Sequence, residues 1–131
     1  MHPQILGLRH VALNVRDVRK SVDFYCSILG MNVEWEPDPD NIYLTSGHDN
    51  LAIHKLPDGQ IPGSLQYLNH IGFVVAHPED VDFFALRVQE KGVVLVQNVT
   101  THRDGARSFY FKDPDGILIQ LIYHPPISDK R

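Results

Sequence analysis

Apolar and polar residues alternate through residues 8–15, with Val11, Leu13 and Val15 on one face and His10, Ala12 and Asn14 on the other, which predicts a strand. A helix is expected next. Asp17 can cap it, Val18, Val22, Tyr25 and Leu29 fall on one stripe, and Gly30 suits the left-handed position that ends it. Further strands are expected at residues 32–36, 42–46 and 51–56, separated by PDPDN and SGHDN.

Proline and glycine then crowd the stretch PDGQIPGS, which marks a linker at about residues 57–66 between modules of about 5–56 and 67–124. Beyond it the same order returns: a strand at 68–75, a helix at 78–91 with Val81, Phe84, Ala85 and Val88 inward, a stop at Gly92, and strands near 93–97, 108–112 and 117–123. Pro78 fits the first helical position. The halves match in wording too, since LRHVALNV answers LNHIGFVV and VDFYCSILG loosely answers VDFFALRVQEKG. The reading is a twofold βαβββ repeat within one domain of α+β class.

The repeat superimposes His10 on His70 and is expected to set His54 of NLAIHKL opposite Gln120 of ILIQLIY. Period-two alternation sends each of these four side chains to the face opposite its strand's main apolar set. A lone histidine is more often a satisfied core or surface residue than a ligand, but four polar residues at symmetric positions point to a site. His2, His48, His77 and His124 have no such partners and read as surface residues.

With 131 residues and 43% hydrophobic content, the chain can bury a core of its own. A formal charge of −4 without a Lys or Arg run gives no footprint for nucleic acid or an anionic membrane. No stretch approaches the ~20 apolar residues of a membrane span, and the N-terminus lacks a secretory pattern, so a cytoplasmic protein is expected. The single cysteine, Cys26, lies in a helical pattern and is assigned no chemistry. Arg103 and Arg107 could meet an anionic substrate, but read as solvated cations they stay outside the site.

LRHVALNVRDVRKSVDFYCSILGM, LNHIGFVV and YFKDPDGILIQLI together resemble the vicinal oxygen chelate superfamily, which includes glyoxalase I, extradiol dioxygenases, fosfomycin-resistance thiol transferases and metal-free bleomycin-binding proteins. The resemblance covers nearly the whole chain. It implies a curved, mostly antiparallel eight-stranded cup with helices on its outer face, holding a divalent ion (Fe, Mn, Ni or Zn) through His10, His70 and Gln120. His54 is implied either as a fourth ligand or as a general base. Metal-binding relatives usually carry Glu where this chain has Gln120, and an amide offers a carbonyl oxygen without useful basicity. Glyoxalase-type proton transfer through this residue is therefore not expected.

The segment T-H-x₆-F-Y-x₂-D-P-x-G-x₃-Q, from Thr101 to Gln120, is similar to the extradiol dioxygenase signature except at its last position. That similarity implies substrate contact by Tyr110, an outer role for His102 and proton handling by His54; alternatively Tyr110 only packs in an aromatic strand and His102 only sits in a loop. The expected function is a metal-dependent enzyme acting on a small oxygenated, chelating substrate, of lyase, isomerase or dioxygenase type. The alternative is a metal-free small-molecule binding protein, with a ligand-free scaffold ranked last. Relatives of this size imply a homodimer.

Overall fold

The computed structural model describes residues 3, 5–60 and 68–129. Most of the expected linker lies outside them. The chain divides into two compact units, residues 1–62 and 63–131, and each holds one module.

In the first unit β1 (His10–Val15) leads to α1 (Val18–Ser27), then to β2 (Asn32–Asp38), β3 (Asn41–Thr45) and β4 (Asn50–Lys55). These strands form one sheet in the order β1-β4-β3-β2. The β1–β4 pair is parallel and the other two pairs are antiparallel. α1 starts where Asp17 accepts a hydrogen bond from the Lys20 amide, and Gly30 ends its last turn at φ 76°, a conformation that costs a residue with a Cβ. Its buried stripe is Val18, Val22, Phe24 and Tyr25, continued by Ile28 rather than the expected Leu29. Against it lie Leu13, Val15, Ile42, Leu44, Leu51 and Ile53, the inward residues of three strands. β2 is an edge strand and fully exposed, which is why it tolerates Pro37.

The second unit repeats the plan with β5 (Ile71–Val74), α2 (Pro78–Glu90), β6 (Leu95–Thr101), β7 (Arg107–Lys112) and β8 (Leu118–Tyr123), in the sheet order β5-β8-β7-β6. Again the first and last strands are parallel and the others antiparallel. The twofold βαβββ architecture expected of the sequence is present. Val81, Ala85 and Val88 of α2 are buried with Phe109, Phe111, Ile119 and Leu121, while Phe84 is only half-buried. A short α3 (Pro125–Ser128) follows β8, unforeseen because one helical turn leaves no periodicity to read.

Both modules carry a β-bulge at the same place. Val33 pairs with Leu44 but Trp35 with Tyr43, as Leu95 pairs with Phe111 but Gln97 with Tyr110. The extra residue in the first module is Glu34. Its carboxylate reaches across β3 to Asn50 on β4. The DPDG turn before β8 is closed by Asp113, a buried carboxylate that accepts from the amides of Asp115 and Ile117. That carboxylate is committed to the turn.

Candidate functional site

In the second unit the polar face of the sheet gathers His70, Gln120 and Tyr110. His70 lies just before β5, and Gln120 sits beside Gly72 and opposite Tyr110 in the strand register. A Cβ added at Gly72 would stand 3.7 Å from Gln120 Oε1, an ordinary contact. The Tyr110 ring meets the His70 imidazole edge-on at 5.3 Å between centroids. Tyr110 is therefore not a core aromatic: its neighbours Phe109 and Phe111 point the other way and are fully buried. His102 is exposed just beyond β6, with Nε2 3.4 Å from the Ser108 hydroxyl. Ser108 shares the Tyr110 side of β7, two residues away.

The His70 ring contacts two amide oxygens at once. Nδ1 is 2.7 Å from Asn69 Oδ1, and Nε2 is 3.1 Å from Gln120 Oε1. A neutral imidazole carries a hydrogen on one nitrogen only. When Nδ1 donates to Asn69, the lone pair of Nε2 faces a lone pair of Oε1. A cation, an extra proton, or a half-turn of either amide that trades its oxygen for NH₂ relieves that opposition. Two donors each about 2.1 Å from a metal and at right angles lie about 3 Å apart, so the observed spacing fits a shared divalent ion.

In the first unit His10 and His54 stand on the exposed face of β1 and the corresponding face of β4. His10 Nδ1 is 2.8 Å from Asn50 Oδ1, and the Asn50 Nδ2 donates to Glu34 Oε1 at 2.9 Å. His54 Nδ1 is 2.6 Å from Asn41 Oδ1, and the Asn41 Nδ2 donates to both Asp38 oxygens at 3.0 and 3.1 Å. Tyr43 meets His54 edge-on at 5.7 Å, and Trp35 stacks on Tyr43 at 5.2 Å.

The register corrects the expected symmetry. His10 and His70 do correspond, but Ala12 pairs with Ala52 as Gly72 pairs with Gln120, and Tyr43 faces Ala52 as Tyr110 faces Gln120. The counterpart of Gln120 is Ala52; that of His54 is Ile122. His54 pairs with Asn14, four residues along β1 from His10, a run of about 13 Å at 3.3 Å per residue. The argument from symmetry for His54 as a fourth ligand therefore falls, and the distance from His10 argues against both holding one ion. Arg107 also departs from expectation, since it is tied to Asp82 of α2 at 2.6 Å and to the Thr101 hydroxyl. The hydrogen bond it receives from Arg107 holds the Asp82 carboxyl below its ordinary range. His124 is not simply a surface residue either, for its Nδ1 is buried without a partner among the described residues. Cys26 stays without a role; burial, then the Asp23 charge, pushes its thiol up, away from the nucleophilic thiolate.

Three residues that touch these histidines, Asn41, Asn50 and Asn69, and the two carboxylates behind them, Glu34 and Asp38, were not singled out from sequence. Asn69 was available as the neighbour of His70. The others need the strand pairing. Within the described residues no three His, Cys, Asp or Glu side chains come together.

The family model of the Glyoxalase/Bleomycin resistance protein/Dioxygenase superfamily matches residues 7–121. The glutathione transferase FosA of Serratia marcescens is 31% identical over 118 residues, which span 88% of this chain and 79% of that protein. The manganese-dependent 2,3-dihydroxybiphenyl 1,2-dioxygenase of Geobacillus genomosp. 3 is 28% identical over 124 residues, 94% of this chain and 38% of that protein. A crystal structure of lactoylglutathione lyase from Agrobacterium tumefaciens matches 95% of this chain and 98% of its own with a TM-score of 0.76, at 15% identity, a likeness of fold alone.

Proposed function

Because the chain belongs to the Glyoxalase/Bleomycin resistance protein/Dioxygenase superfamily, we propose that it is a metal-dependent enzyme acting on a small oxygenated substrate that chelates the ion. The observation that carries this reading is the approach of the Gln120 amide oxygen to His70 Nε2, 3.1 Å apart on the polar face of the sheet. His70 and Gln120, both of the second unit, are the donors. A relative named for its manganese dependence supports a divalent ion. Bound there, the ion supplies Lewis-acid polarisation of a substrate oxygen.

The residues divide the remaining work. Asn69 and the Tyr110 edge fix the His70 ring from two sides. With no anionic donor in the pair His70 and Gln120, the positive charge held there stays uncompensated and favours an anionic, bidentate substrate. The Gln120 amide cannot take a proton, and substrate contact is assigned to the Tyr110 hydroxyl. His102 is left an outer role at the end of the β6–β7 hairpin.

Chelator-stripped protein titrated calorimetrically with Mn²⁺, Ni²⁺ and Zn²⁺ is expected to bind one ion per chain, and His70→Ala to lose it. Absence of binding in the folded wild-type protein would leave the metal-free small-molecule binder as the better account. The proposal includes a cytoplasmic homodimer. Edge strands β1 and β2 of the first sheet, and β5 and β6 of the second, are the kind that proteins cover or pair. Sedimentation that gave only the monomer mass across micromolar concentrations would refute the dimer.

A further inference from the structure

Carboxylates can only accept hydrogen bonds. The Glu34 carboxylate therefore forces Asn50 to turn its NH₂ toward β2, and Asp38 forces the same orientation on Asn41. Each asparagine is then left with its oxygen aimed at an imidazole nitrogen, at 2.8 Å for His10 and 2.6 Å for His54. An oxygen facing Nδ1 at that distance requires a hydrogen on Nδ1. The lone pair is thereby assigned to Nε2 in both rings.

The geometry points to Asn50 and Asn41 as positioning residues, each locked by a carboxylate, that hold His10 and His54 in the Nδ1–H tautomer and present Nε2 as the electron-pair donor. The two devices are built alike, each on a carboxylate of β2: Glu34, from its bulge, serves Asn50 on β4, and Asp38, at its end, serves Asn41 at the start of β3. In the first relay a carboxylate also stands behind His10 through one amide, a negative charge that Gln120 does not provide. This assignment stands on hydrogen-bond direction alone and holds whether or not a metal binds; His54 needs it to accept a proton, His10 to donate to a cation.

Long-range ¹H–¹⁵N NMR of the metal-free wild-type protein at about pH 8, above the ordinary imidazole range, reads the tautomer of each ring directly. His10 and His54 are expected to show a protonated Nδ1 and an unprotonated Nε2, the reverse of the form an unconstrained neutral histidine favours. Asn41→Leu should exchange the two nitrogen signatures of His54 and leave His10 alone, and Asn50→Leu should do the converse, so that each variant is the control for the other. Glu34→Gln removes the lock but keeps Asn50; His10 should then populate both tautomers. Asn50→Asp keeps an acceptor oxygen and should restore the Nδ1–H form. Wild-type rings protonated on Nε2 would overturn the proposal even if every variant failed to fold. Folded Asn→Leu variants with unchanged tautomers would overturn it equally.

Discussion

Gln120→Glu is expected to tighten divalent-metal binding by about tenfold, roughly 1.4 kcal/mol, and Gln120→Ala to weaken it by about a hundredfold or more, since loss of even an outer-shell partner typically costs 10–100-fold. The direction follows from the donor set. A carboxylate offers an oxygen where the amide oxygen now lies, 3.1 Å from His70 Nε2, and adds a full negative charge. Alanine leaves His70 without its neighbour. Calorimetric titration of the three proteins, with folding checked by circular dichroism, reads the order directly. Equal affinities across all three would make Gln120 a substrate or structural residue and remove the observation on which the metal reading stands.

The second large effect is on stability, one residue from the candidate site. Phe109→Ala should destabilise the protein by about 3–5 kcal/mol, the range for truncating a buried aromatic. Phe109 is wholly buried, stacks on Phe111 at 5.5 Å and pairs across the sheet with Leu121. Little nearby can collapse into the space. Against a total of about 5–15 kcal/mol for a typical domain, the loss should lower the thermal midpoint by more than about 10 °C. Val94→Ala, at a side chain 82% exposed, is the matched control and should stay within about 0.5 kcal/mol. A Phe109→Ala midpoint within a few degrees of wild type would mean that β7 does not anchor the second core as described.

Much of this was legible in the sequence. The helices announced themselves by stripe, cap and glycine stop, because each of those signals is local. The two-residue misplacement of His54 has an equally physical cause. Alternation tells which face of a strand a residue occupies, and a shift of two positions leaves every side chain on its face. His54 and Ala52 share a face, so period-two reading could not choose between them as the counterpart of Gln120. Only the pairing of β1 with β4 could. The same limit hid the asparagines: Asn50 lies beside His10 through a parallel register between strands forty positions apart. β6 began later and ran longer than expected, at Leu95–Thr101, because its bulge breaks the alternation by which strands are read.

The parallel pairing of each module's first and last strands also sets an order of events during synthesis. β5 has no partner in its sheet until β8 has left the ribosome, and Gln120 arrives on that last strand. β1, by contrast, can pair with β4 while the second unit is still being made. The His10 and His54 relays can thus mature on the nascent chain, whereas the His70–Gln120 pair is assembled only at the final sheet closure, a slow, non-local step.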